Sequence, residues 1–167
     1  VLWHEEDGGY KNRNGHFLLC DAEEQERQFQ KIEKLAKTYP NIILSDEAIW
    51  KAGYKRRGFW KAAAERFGQI GCRLRVIVYL RRQDLLVQSL WNQNIKSKAV
   101  NWTKTFDECI EQDSFSYFPL DYHKGLTKIA KHVDQSDMIV RVYEQGQFEG
   151  EGNTIFSDLL RCVGADI

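Results

Sequence analysis

The run Arg73-Leu-Arg-Val-Ile-Val-Tyr-Leu-Arg81-Arg82-Gln-Asp-Leu-Leu-Val-Gln-Ser89 decides how this chain folds. Val76 to Leu80 is β-branched, aliphatic and aromatic without a polar interruption, the pattern of a buried strand covered on both faces. The strand stops on two arginines. A helix begins within two or three residues, with Asp84 placed to cap it and Leu85, Leu86, Val87, Leu90 and Trp91 as its apolar side. In open α/β sheets ligands sit just beyond the carboxyl ends of the strands. A guanidinium there, beside a helix N-terminus, suits phosphate or sulfate. The plainer reading is that Arg81 merely ends a strand as the chain leaves the core, and that Ser89 is an ordinary helix-surface hydroxyl.

Working outward, Asp21 to Thr38 reads as a helix, with Asp21 as cap and Phe29, Ile32, Leu35 and Ala36 on one face. Val1 to Asn14 is polar and loop-like, and Phe17 to Leu19 reads as a short apolar turn or a helix start. Tyr39-Pro40-Asn41 breaks the pattern before a short strand, Ile42 to Leu44, that ends in Ser45-Asp46-Glu47. Trp50 to Gly71 is mostly helical, with Phe59, Trp60, Ala63, Phe67 and Ile70 inward. Helices are expected over Asp84–Lys98, Trp102–Glu111 and Asp121–Val133, the last with Leu126, Ile129 and Ala130 inward. A third strand is expected over Asp137–Glu144, and a closing helix over Asn153–Val163, stopped by Gly164. Strands alternating with helices predict a three-layer α/β domain around a short parallel sheet, spanning residues 1–167 without repeats or linkers.

A chain of 167 residues, 43% hydrophobic and 13% aromatic, can bury a core. Twenty-four basic and 24 acidic residues give zero net charge, which argues against broad attraction to nucleic acid or an anionic membrane while leaving room for a local basic site. No apolar run approaches the ~20 residues of a membrane span. Cys20, Cys72, Cys109 and Cys162 are scattered, with no CxxC pair and no nearby paired histidines, so neither a zinc site nor a redox dithiol is expected, and reduced cysteines imply a cytoplasmic setting. The many aromatic residues read as core.

With these residues in place the chain resembles a known family. Leu80-Arg81 followed by Ser89 looks like the 3′-phosphate-binding segment of the P-loop-type sulfotransferases. Ile42-Ile-Leu-Ser45-Asp-Glu47 is similar to the strand and turn before that segment in bacterial sulfotransferase-like proteins. Val140-Arg-Val-Tyr143-Glu144, Gly152-Asn153 and the helix from Phe156 to Gly164 resemble their closing strand, loop and helix. The likeness runs from about Ile42 to the end. It implies the P-loop nucleoside triphosphate hydrolase/sulfotransferase fold and sulfuryl transfer from 3′-phosphoadenylyl sulfate, releasing adenosine 3′,5′-bisphosphate. The acceptor is a hydroxyl or amine, in such relatives often a carbohydrate, and no metal is implied.

The family's opening strand and P-loop-like turn, which hold the 5′-phosphosulfate, have no counterpart here. Asp7-Gly-Gly-Tyr-Lys11 has neither a preceding strand nor the hydroxyl residue. Because that strand is interior in the family, its loss would strand backbone groups, so a strand–loop–helix unit is expected upstream of Val1.

Arg81 and Ser89 are therefore the expected ligands of the donor's 3′-phosphate. Arg82 is read as solvated or paired with Asp84. Glu47 is a candidate general base on the acceptor, or else a helix cap with Ser45 or Asp46; His16 is the other base candidate, since histidine titrates near neutrality. Gln93 and Lys96 share the face of Ser89 and either line a cleft or form a solvated surface, and His4, His123 and His132 read as surface residues. Two other classes remain on the same scaffold: a non-catalytic nucleotide-binding or interaction protein, and a P-loop kinase-like enzyme.

Overall fold

The computed structural model describes residues 9–11, 17–19, 22–46, 48–97 and 102–165. It is a mixed α/β protein whose helices flank a short parallel sheet, and it divides into two compact units. The first takes residues 1–74 and 124–132; the second takes 75–123 and 133–167.

In the first unit, β1 (Gly9–Lys11) and β2 (Phe17–Leu19) pair antiparallel, Tyr10 opposite Leu18. Phe17 to Leu19 is thus a strand, neither a turn nor a helix start; a three-residue apolar run carries too little periodicity to separate these cases. Helix α1 (Ala22–Thr38) forms as expected and buries Phe29 and Ile32, whereas Leu35 is 44% exposed. Its expected cap, Asp21, lies outside the described residues.

The expected strand Ile42–Leu44 does not form. Among the described residues these have no ladder partner, and Ile43 and Leu44 are exposed. Apolar composition cannot make a strand where no neighbour supplies hydrogen bonds. The expected long helix from Trp50 is two helices, α2 (Ala48–Lys55) and α3 (Phe59–Gln69). Gly58 breaks them at φ 78°, a left-handed conformation that glycine adopts without a Cβ clash. Helix α3 buries Phe59, Trp60 and Ala63, and its Phe67 ring packs 5.8 Å from that of Phe29.

Helix α6 (Tyr122–Ala130) enters this unit from Lys124 onward. It buries Ile129, while Ala130, expected inward, is exposed. Gly125 lies on the Trp50 ring so closely that a Cβ there would sit 2.4 Å from ring carbon Cη2.

In the second unit, β3 (Val76–Leu80) and β4 (Met138–Val142) pair parallel, Val76 opposite Met138 and Leu80 opposite Val142. The described parallel sheet therefore has two strands where the sequence led us to expect three. None of the five β3 residues is fully buried, contrary to a strand enclosed on both faces. The cause lies in the alternation of side chains. Tyr79 and Arg141 share a face and both reach Asp158 on α7 (Ile155–Val163), so α7 covers that side. Val140 and Val142 point the other way and remain 46% and 49% exposed.

Helix α4 (Gln83–Lys96) follows β3 after two residues. It packs Val87, Leu90 and Trp91 against Cys109 of α5 (Phe106–Glu111) and against Phe115, Trp102 and Leu120. Helix α5 starts four residues later than expected because Thr105 caps it: the hydroxyl accepts from Glu108 N–H, and Glu108 returns the bond to Thr105 N–H. Helix α7 is capped the same way by Thr154 and Ser157, and it ends at Gly164 (φ 73°) as its sequence predicts.

Candidate functional site

The parallel register puts the carboxyl ends of β3 and β4 side by side, so Arg81 and Tyr143 emerge together. One further rung, Tyr143 N–H to the Leu80 carbonyl at 2.9 Å, keeps them adjacent. The Arg81 guanidinium lies 6.0 Å from the centre of the Tyr143 ring, at the outer limit of a cation–π contact. Tyr122 donates its hydroxyl to the Arg81 carbonyl at 2.6 Å. Burial pushes the Tyr122 phenol up, and the Arg81 charge partly opposes that shift. Arg81 is thus held from two sides, at its main chain and at its side chain.

The two consecutive arginines are in different states. Arg82 is the N-cap residue of α4 and pairs with Asp84, Nε to Oδ1 at 3.3 Å and Nη2 to Oδ2 at 2.7 Å. Asp84 is therefore not the cap expected from the sequence; it sits in the first turn, and the Arg82 guanidinium and the Leu85 N–H hold its carboxyl below the ordinary value. Both partners are exposed, so this pair adds little stability. It does place a carboxylate on the amides of the α4 N-terminus, which leaves the holding of an incoming anion chiefly to Arg81. Among the described residues, no carboxylate lies within ion-pair distance of Arg81.

Ser89 is half-buried on the second turn of α4, and among the described residues its hydroxyl has no hydrogen-bond partner. Arg81 and Ser89 thus sit in one strand–turn–helix unit with their polar groups uncommitted. A guanidinium that can grip two oxygens and a hydroxyl that can donate to a third are a fitting donor set for a phosphate monoester. Gln93 and Lys96 are exposed further along α4, and Ser45 is exposed in the unpaired segment before α2. Glu47 and His16, the candidate bases, lie outside the described residues. Among those described, no cluster of His, Cys, Asp or Glu is arranged to hold a metal. No described helix is long and apolar enough to cross a membrane.

Sequence reasoning missed a second polar centre, around Asp158. Its carboxylate is 1% exposed and accepts from Tyr79 Oη at 2.7 Å, Arg141 Nε at 3.0 Å and Nη2 at 2.5 Å, and Glu149 N–H at 2.7 Å. Cys162 Sγ lies 3.7 Å away. The Arg141 guanidinium, reinforced by Tyr79 and the Glu149 amide, holds Asp158 far below the usual carboxylate range despite its burial. Arg141 also meets Glu149 at 3.1 Å, and Arg161 meets Glu149 at 3.4 Å. With its oxygens filled by protein donors, Asp158 serves as a clamp that ties both strands and the 143–154 segment to α7. A signal was present: an acid between Ile155 and Leu159 on an apolar helix, opposite an arginine flanked by Val140 and Val142.

Over 93 residues, 56% of its length, the chain is 33% identical to an uncharacterized protein of Archaeoglobus fulgidus. The matched stretch spans 23% of that protein. No protein-family model matches the chain, and no solved structure does.

Proposed function

We propose that this chain is the 3′-phosphate-binding portion of a sulfotransferase-like enzyme, one that transfers a sulfuryl group from 3′-phosphoadenylyl sulfate to a hydroxyl or amine acceptor such as a carbohydrate. The observation that carries the reading is the state of Arg81. It stands at the carboxyl end of a parallel strand, is anchored by Tyr122, and has no carboxylate partner among the described residues. An anion placed there meets a cation whose charge is not already spent. Ser89, eight residues on, repeats the spacing that prompted the family resemblance. In this reading Arg81 and Ser89 bind and orient the nucleotide, Glu47 or His16 takes the acceptor proton, and positioning dominates the catalysis.

The test is the thermal unfolding of the full-length protein with adenosine 3′,5′-bisphosphate. Ligand bound to the native state alone raises the melting temperature. The expected result is stabilisation of the wild type and loss of it in Arg81→Ala, with a smaller loss in Ser89→Ala. No stabilisation of the wild type, or an undiminished shift in Arg81→Ala, overturns the assignment. Stabilisation by ATP in preference to the bisphosphate points to a kinase-like enzyme. Bisphosphate binding without sulfuryl transfer to any acceptor points to a non-catalytic nucleotide-binding protein.

A further inference from the structure

One residue fastens the segment between β4 and α7. Residues 144–153 are exposed apart from half-buried Phe148, and their only regular structure is a short 3-10 turn, Glu151–Asn153. Among the described residues, every hydrogen bond and ion pair from this segment to the rest of the chain is made by Glu149. Its N–H donates to Asp158 Oδ2 at 2.7 Å, and its carbonyl accepts from Ser157 Oγ at 3.2 Å. Its carboxylate meets Arg141 at 3.1 Å and Arg161 at 3.4 Å. The segment's other bonds, Gln147 N–H to the Glu144 carbonyl and Asn153 N–H to the Gly150 carbonyl, are internal turns. Gly146 and Gly150 take φ of 93° and 95°, so the backbone turns on both sides of Phe148 and Glu149.

Phe148 carries that fastening to the Arg81 site. Its ring packs edge-to-face with two tyrosines, its centre 5.8 Å from that of Tyr143 and 6.3 Å from that of Tyr79. Tyr79 belongs to the Asp158 clamp, and Tyr143 is the ring that the Arg81 guanidinium approaches at 6.0 Å. With Phe148 seated, the Tyr143 ring is packed and the guanidinium meets it in a fixed place. With Phe148 lifted, Tyr143 and Arg81 both gain freedom that an incoming anion must take away, which weakens binding. A segment with so few buried contacts opens far more readily than the whole domain unfolds.

We propose that residues 144–153 form a strap fastened by Glu149, and that Phe148 within it is a positioning residue that sets the anion affinity of Arg81. The inference rests on the reading above only in taking Arg81 as an anion site; it needs neither a sulfuryl donor nor any acceptor. Coupling between two sites is reciprocal, so an anion that binds better with the strap seated also holds the strap closed.

The test joins titration calorimetry to amide hydrogen exchange on the full-length protein, with adenosine 3′,5′-bisphosphate and inorganic phosphate as separate probes. Phe148→Ala is expected to weaken binding about three- to tenfold, the effect of having to order one or two released side chains. Phe148→Tyr, which keeps the ring, should bind as the wild type does. Exchange of the Glu149 amide should slow when ligand is added to the wild type and stay unchanged in Arg81→Ala. Glu149→Gln, which removes the charge from two ion pairs, should speed exchange across residues 145–153 of the free protein. Four results overturn the strap and leave the Arg81 site standing: undiminished affinity in Phe148→Ala, a lower melting temperature in that variant without weaker binding, a Glu149 amide indifferent to bound ligand, or unchanged exchange in Glu149→Gln. A wild type that binds neither probe removes the Arg81 site and the strap's role together. A response to inorganic phosphate alone, with the other changes as expected, keeps the strap and discards the nucleotide.

Discussion

Asp158 and Arg141 meet in a two-pronged ion pair in which the carboxylate is almost wholly buried and the guanidinium is about one-quarter exposed. Tyr79 and the Glu149 amide complete the shell, so three separate chain segments depend on one carboxylate. Breaking a buried pair by removing one partner costs on the order of 3–5 kcal/mol, and Glu149, 3.1 Å from Arg141, offsets only part of that loss when Asp158 is removed. Asp158→Ala is accordingly expected to lower the urea midpoint sharply. Asp158→Leu combined with Arg141→Leu should recover much of that loss, because an apolar pair of similar volume strands no charge. Equilibrium urea unfolding of the three proteins checks both statements.

The same centre sets a pH window. Asp158 has a folded-state pKa depressed by Arg141, so its stabilisation is complete above the unfolded aspartate value of about 4 and is lost as pH falls further. Burial pushes Cys162 and Tyr79 up, and the Tyr79 bond to Asp158 raises the phenol further. Groups with raised values contribute fully below their unfolded pKa, about 8.5 for cysteine and about 10 for tyrosine, and that contribution declines as pH rises beyond it. Unfolding midpoints across pH should therefore show a plateau that falls at both ends. Asp158→Asn is expected to flatten the acid limb and to move the Tyr79 phenol titration, followed by ultraviolet absorbance, back toward its ordinary value.

Two capping boxes, at Thr105 and Thr154, offer a matched comparison. Each threonine satisfies an orphan N–H of its helix, and replacement by alanine typically costs about 1 kcal/mol. Thr154→Ala should cost more than Thr105→Ala. Helix α7 presents Asp158 one turn after its cap, and Ser157, the partner in that box, also donates to the Glu149 carbonyl. Equal losses on urea unfolding would show that the two caps act locally and that the Asp158 clamp does not depend on the start of α7.

The parts of the fold written in local chemistry were legible. Glycine at 164, the β-branched run ending at Leu80 and the amphipathic stretch of α1 each specify their own backbone. What failed depended on neighbours. Ile42 to Leu44 has the composition of a strand and no partner among the described residues, and Val140 and Val142 have the composition of a core and stay half-open to solvent. The placement of Arg81 was legible, because the strand ends at Leu80 and the next helix begins at Gln83. The different state of Arg82 was foreshadowed by Asp84 two residues away. The Asp158 clamp was not foreseen: Tyr79, Arg141 and Asp158 are brought together by strand register and helix placement, across sequence gaps that no motif marks.

Gly125 tests how tightly α6 sits on α2. An alanine at a helical position gains up to about 1 kcal/mol over glycine from propensity alone. Here the added methyl would enter the Trp50 ring, and overpacking of this kind costs roughly 1–3 kcal/mol. Gly125→Ala is expected to lower the melting temperature, and Trp50→Leu in that background to restore part of it by opening room for the methyl. A more stable Gly125→Ala would mean that the two helices separate readily.

Tyr122 joins the candidate site to the chain that frames it. Its hydroxyl donates to the Arg81 carbonyl at 2.6 Å, so it fixes the backbone from which the guanidinium projects without touching the guanidinium itself. If Arg81 holds a nucleotide phosphate, Tyr122 acts as a positioning residue. Tyr122→Phe keeps the ring and removes the bond, leaving the carbonyl short of a donor at a cost of about 1 kcal/mol. That loss should appear as a several-fold weaker affinity for adenosine 3′,5′-bisphosphate, while Arg81→Ala abolishes binding. A purely structural role gives the opposite pattern: the melting temperature of the free protein falls and the nucleotide affinity does not. Titration calorimetry with the bisphosphate and thermal unfolding without it, on the same two variants, separate these outcomes.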